Sequence, residues 1–181
     1  GGALAMQMAL QRPVPVLAIN PALQNFPGIA GWLFPMMAKA LALNPFAAPL
    51  VAASASRGSV RRLIEGTGSD IDETGLDLYF RLLSSPSHVD ATLGMMSRWS
   101  LDGLLARLPR LHSPVRCLVG QRDRAVPPAS VQTAARDLPN GSVEIWDGLG
   151  HLMHEEAPDR VCAWIGATLR SGMPEPLPSR G

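Results

Sequence analysis

The chain has 181 residues, 46% of them hydrophobic and 17% charged, which is a globular composition of one-domain size and not a disordered one. Sixteen Lys and Arg against fifteen Asp and Glu leave a net charge of +1. These charges are interspersed, and the absence of a basic block argues against a nucleic-acid partner. Seventeen Gly and seventeen Pro fall between apolar stretches as turn punctuation, so collagen-like and low-complexity readings fail. Cys117 and Cys162 each sit inside an apolar run; two cysteines make no disulfide scaffold, and a reduced, cytoplasmic setting is expected.

The chain opens on Gly1 and runs at once into a helical pattern with no capping residue ahead of it, so it is expected to start mid-protein. Residues 3–10 are rich in helix formers, and 14–19 form an apolar run of strand length. From Asn20 to Leu111 the pattern turns helical: Trp32, Leu33, Met36, Met37, Ala40 and Leu41 recur at three-and-four spacing. Further helices are expected over 60–64, 75–83 and 89–98, with Thr74, Ser87 and Ser100 at or near caps. The most apolar stretch, 30–55, is interrupted by Pro35, Lys39, Asn44, Pro45 and Pro49, short of the ~20 clean apolar residues a spanning helix needs. Neither a transmembrane segment nor a signal peptide is expected.

A second buried strand is expected over 115–119, then a loop over 120–128 and a helix over 129–138. A third strand over 143–146, between Asn140-Gly141 and Asp147-Gly148, leads to a last helix over 158–169. Strand, helix, strand, helix with short links is the grammar of a parallel sheet covered by helices, an α/β fold. The end, 171–181, has three prolines and little to bury, and is expected to be a mobile tail.

Two loops place polar residues just beyond the carboxyl ends of expected parallel strands, where open α/β sheets carry their ligand sites. Asp123 lies in Gly120-Gln121-Arg122-Asp123-Arg124, and His151 follows Gly148-Leu149-Gly150. An acid and an imidazole so placed can form the orienting and proton-shuttling parts of a triad. The competing readings are a loop Asp making a turn and a histidine held by backbone groups; the pairing of the two loops favours the catalytic one. His151 and His154, followed by Glu155 and Glu156, have a spacing that would suit two metal ligands, but no third ligand converges, and a polar helix start is the simpler reading. No metal site and no cofactor is therefore expected. His88 and His112 need no function. No G-x-x-x-x-G-K-[ST] loop occurs, so ATP use would belong to a partner.

The stretch from Pro114 to Leu169, PVRCLVGQRDRAVPP through DGLGHLMHEEAPDRV, resembles the closing third of an α/β-hydrolase, whose triad runs nucleophile, acid, histidine. Trp99-Ser100-Leu101-Asp102 leading to Leu108-Pro109 is similar to that family's return from cap to sheet. Gly1-Gly2-Ala3-Leu4-Ala5 resembles the helix after a G-x-S-x-G elbow, which would place the nucleophile two residues ahead of Gly1. The resemblance implies a partial α/β-hydrolase fold with an inserted helical cap: 1–19 as post-elbow helix and first strand, 20–111 as cap, 112–170 as the core with acid and histidine loops, 171–181 as tail. The chain on its own is then expected to lack hydrolytic turnover and to be poorly stable.

Within that superfamily, Leu17-Ala18-Ile19-Asn20-Pro21-Ala22-Leu23, Trp32-Leu33-Phe34-Pro35, Ile64-Glu65-Gly66-Thr67-Gly68-Ser69 and His88 through Met96 resemble the magnesium-chelatase accessory proteins of bacteriochlorophyll biosynthesis. This implies a role in magnesium insertion into protoporphyrin, with magnesium chelatase or a tetrapyrrole as partner. The alternative is a serine hydrolase acting on a small ester or amide. Trp32, Phe34, Met37, Met96 and Trp99 are the candidate lining of an apolar ligand site under the cap, against the competing reading of core packing. The expected location is cytoplasmic, up to the membrane periphery, although the apolar stretch lacks the basic face of an interfacial anchor.

Overall fold

The computed structural model describes residues 1–25, 36, 37, 39–41 and 43–171. Helix α1 (Gly2–Ala9) leads to strand β1 (Val16–Ile19). The strand starts two residues later than the apolar run because Pro13 and Pro15 bring no N–H to a ladder; Val16 donates the first bond, to Pro114 O at 2.9 Å. Among the described residues, helical positions at 36, 37 and 39–41 precede α2 (Ala47–Ser54), α3 (Arg57–Gly66), α4 (Glu73–Leu83) and α5 (Pro86–Ser97). Short α6 (Asp102–Leu105) and a 3-10 turn (Leu108–Arg110) lead to β2 (Val115–Gly120), α7 (Pro128–Ala135), β3 (Gly141–Trp146), α8 (Met153–Glu156) and α9 (Pro158–Arg170).

The strands form one parallel sheet in the order β1-β2-β3, with Ile19 opposite Leu118 and Gly120 opposite Trp146. β2 is central and buried almost throughout, as a strand covered on both faces should be. Only Trp146 of β3 is buried, so β3 reads as an edge. Leu118, Trp146, Met153 and Val161 form a core cluster, with Ile19, Leu149, Trp164 and Ile165 packed against it.

The described residues gather in two compact units: one holds Gly1–Gln24, Gly66–Asp70 and the chain from Leu101, the other Asn25–Glu65 and Ile71–Ser100. Among its described residues, the second unit has a core cluster of Ala48, Ala52 and Val89, with Leu93 packed against it. Its α3 and α4 are tied by Arg57 to Asp77 and by Arg61 to Glu73 at 2.5 Å. The Arg61 guanidinium holds the exposed Glu73 carboxyl below its ordinary value.

Thr74, Ser87 and Ser100 lie near caps, within two residues of the observed ones. Asp72 accepts the Gly75 N–H at 2.7 Å and Ser85 accepts that of His88 at 3.5 Å, so Thr74 and Ser87 fall inside the first turns. Leu101, not Ser100, occupies the cap position of α6. Helix α7 stops at Ala135, short of Leu138, because the residue before Pro139 is disfavoured in a helix.

Candidate active site

Strands β2 and β3 end in step, at Gly120 opposite Trp146, with β1 ending two residues earlier opposite Leu118, and the loops after β2 and β3 meet at that edge. After β2 the chain turns, with Asp123 N–H donating to Gly120 O at 3.1 Å. The Asp123 side chain is fully buried: Oδ1 accepts the Val126 N–H at 2.7 Å, and Oδ2 lies 2.8 Å from His151 Nδ1. Nδ1 thus carries the proton toward the carboxylate, and Nε2 is left as the nitrogen for proton transfer. The His151 side chain remains 31% exposed, so solvent or a reactant has access to the ring.

Both loops are held by backbone ties. Gln121 N–H donates to Trp146 O at 2.9 Å and Arg122 N–H to Leu149 O at 2.8 Å. Glu156, its side chain 4% exposed, accepts the Gly150 N–H at 2.9 Å and pairs with Arg122 at 3.5 Å. The segment Thr67–Ser69 crosses the same region: Thr67 O accepts the Arg124 N–H at 3.0 Å, and Ser69 Oγ accepts the Leu152 N–H at 2.8 Å. Gly68 has φ +85, and a Cβ there would overlap the Arg122 carbonyl oxygen; a Cβ on Gly150 would overlap the Gly68 carbonyl. From the end of β1, buried Asn20 accepts the Gly120 N–H at 2.8 Å and donates to Gly150 O at 3.1 Å and His151 O at 2.6 Å.

Asp123 and His151 are therefore brought together. Met37, 54% exposed, and the partly buried Met96 and Trp99 belong to the second unit; Trp32 and Phe34 lie outside the described residues. A cavity of about 680 Å³ in the second unit is lined by Lys39, Leu43, Asp90, Met95 and Arg98 among others, and by none of Met37, Met96 and Trp99. Among the described residues, no group of three His, Cys, Asp or Glu side chains converges as a metal site, and His154 pairs with Glu155 at 3.6 Å. Asn20, Ser69 and Glu156 escaped the sequence reading as site residues. Asn20 carried a usable signal, a polar residue directly after an apolar strand.

The family profile described as alpha/beta hydrolase matches residues 1–164. The chain belongs to the alpha/beta hydrolase family. It is 48% identical over 167 residues to the "Magnesium-chelatase 30 kDa subunit" of Rhodobacter capsulatus, a match that covers 91% of this chain and 58% of that protein. The hydrolase fold is shared with the meta-cleavage product hydrolase of Pseudomonas fluorescens (TM-score 0.68, 17% identity, 94% of this chain and 62% of that one). It is shared too with an esterase of Exiguobacterium antarcticum (TM-score 0.67, 13% identity, 94% and 63%). The chain thus spans about three fifths of the length of these hydrolase-fold relatives. Among the described residues no helix is long and apolar enough to cross a membrane.

Proposed function

We propose that this alpha/beta hydrolase-fold protein is an accessory factor of magnesium chelatase that assists magnesium insertion into protoporphyrin in bacteriochlorophyll biosynthesis. The observation that supports it is the 48% identity, sustained over 167 residues, to a protein named for magnesium chelatase. A match covering 91% of the chain takes in the helices between β1 and β2 as well as the sheet, and function lives in the sites a fold carries rather than in the fold itself. We assign 20–111 as the cap, with Trp32, Phe34, Met37, Met96 and Trp99 for an apolar ligand, and a cytoplasmic location reaching the membrane periphery. The test adds the complete gene product to purified magnesium chelatase and follows metal insertion into protoporphyrin. The expected result is co-elution with a chelatase subunit and faster insertion; neither binding nor a rate change would sink the reading.

The 2.8 Å bond between His151 Nδ1 and Asp123 Oδ2 supports a second reading, hydrolysis of a small ester or amide. His151 Nε2 takes the proton of a serine hydroxyl, for which the elbow resemblance points two residues ahead of Gly1. The serine oxygen bonds to the acyl carbon, the ester C–O bond breaks, and His151 returns the proton to the leaving alcohol. Water repeats the sequence on the acyl-serine and releases the acid. Asp123 stabilises the imidazolium throughout. Replacing His151 by Ala in the complete protein separates the readings: ester turnover is expected to vanish while assistance to the chelatase persists. Loss of both together would make hydrolysis the biological function.

A further inference from the structure

The Asn20 carboxamide bonds three backbone groups from two different loops, and its chemistry fits each of them. Its one acceptor atom faces the one N–H, that of Gly120, while its one donor nitrogen faces the two carbonyls, Gly150 and His151. Reversing the amide would set N–H against N–H and oxygen against oxygen, so the orientation is settled by the network. Aspartate has no donor for the carbonyls, and alanine has neither group. The position also asks for φ +44, in the left-handed region that Asn enters more readily than most side chains.

These bonds join the two halves of the acid–histidine pair. Gly120 holds the turn of Asp123, whose N–H donates to the Gly120 carbonyl at 3.1 Å, and the 2.6 Å bond falls on the backbone of His151 itself. One buried side chain therefore bridges the backbone that carries the acid and the backbone that carries the base, beside the direct Arg122 to Leu149 backbone bond. We propose that Asn20 is a positioning residue for Asp123 and His151, holding the acid turn and the histidine loop at the separation at which the Nδ1 to Oδ2 hydrogen bond forms. The inference rests on the hydrolytic reading for its consequence in turnover; its structural content, the Nδ1 bond, can be read without turnover.

The experiment uses the complete gene product with three substitutions: Asn20→Gly, which keeps the backbone freedom and removes all three bonds; Asn20→Asp, which keeps the acceptor and removes both donors; and His151→Ala. Hydrolysis of p-nitrophenyl butyrate and the low-field proton resonance of the His151 ring Nδ1–H are followed in parallel. The expected result is a kcat lower by about a hundredfold in both Asn20 variants, the cost typical of misplacing a reacting group by about an ångström, with KM little changed. The Nδ1 proton signal is expected to broaden or vanish in both. If kcat and the Nδ1 signal survive in Asn20→Gly, the proposal is overturned. If both Asn20 variants lose the folded state, Asn20 is a structural residue only and the proposal again fails. Wild-type protein without His151-dependent turnover would remove the hydrolytic reading alone; an Nδ1 signal present in wild type and lost in both Asn20 variants would then still support the positioning role.

Discussion

Asp123 is buried with both oxygens engaged, so its exchange for Asn is nearly isosteric, and the Val126 N–H keeps its acceptor. What changes is the partner of His151: an amide in place of the carboxylate neither fixes the Nδ1–H tautomer nor stabilises the imidazolium. In the complete protein, Asp123→Asn is expected to lower ester kcat by about 10⁴-fold with the melting temperature nearly unchanged; steady-state kinetics beside thermal melts check this, and a loss below tenfold would mean that His151 acts without the acid. Cys117 illustrates the opposite case, a reactive group made inert. It lies in the middle of β2 at 1% exposure, and burial pushes its thiol up to about 12 because the thiolate would lose its water. Cys162 is exposed. At pH 8 a thiol-alkylating reagent followed by peptide mapping is expected to label Cys162 in the folded state and Cys117 only in denaturant, and labelling of Cys117 in the folded state would contradict the burial. The meeting of Asp123 with His151 was legible in the sequence because each is a polar residue in a short loop after an apolar strand. Asn20 has the same placement, but its significance depends on which backbone groups reach it, and those come from positions 100 and more residues away.

At the scale of elements, the three strands and the helices around them were legible because buried parallel strands read as short apolar runs bounded by turn residues. The ends were less so, since they depend on partners: β3 extends back to Gly141 because Val115 and Arg116 of β2 supply a ladder there. Helix α2 was hidden by Pro49, which the fold accommodates in the first turn, where no intrahelical bond is lost. Least legible was the segment Thr67–Ser69, which follows α3 yet shares hydrogen bonds with the acid and histidine loops. Its glycine gives a test. Alanine at Gly68 would need a left-handed conformation and would overlap the Arg122 carbonyl, two penalties of roughly 1–3 kcal/mol each. Gly68→Ala is expected to destabilise by about 3 kcal/mol in urea unfolding of the complete protein. Gly94→Ala is the control, since a Cβ there meets nothing within 4 Å and Ala is the better helix former; equal stability of the two variants would mean that the segment is not seated on the Arg122 carbonyl.

Across the whole molecule, apolar burial is uneven. The unit with the sheet buries Met6, Leu108, Leu111, Leu118, Val119, Val131 and Met153 at 0–1% exposure. Among its described residues the other unit buries Ala48, Ala52, Val60, Ile64, Leu76 and Val89, while Leu43, Phe46 and Leu50 stand 71–76% exposed. A fully buried Leu or Met is worth roughly 1.5–3 kcal/mol, several times an alanine, so among the described residues the sheet unit gains more from each buried side chain than the alanine-rich contacts of α2 supply. Local opening follows such differences, and in native-state hydrogen exchange the amides of α2–α5 are expected to open at least about 2 kcal/mol below those of β2. The hydrogen bonds that hold Asp123 and His151, and the Leu152 to Ser69 bond beside them, all join residues of the sheet unit. The Val126 and Leu152 amides, which donate to Asp123 Oδ1 and Ser69 Oγ, therefore report on the site directly, and they are expected to exchange with β2 and not with α2–α5. Their exchange with the helices would show that the acid–histidine pair opens whenever the insertion does, and that the sheet unit does not hold the pair by itself.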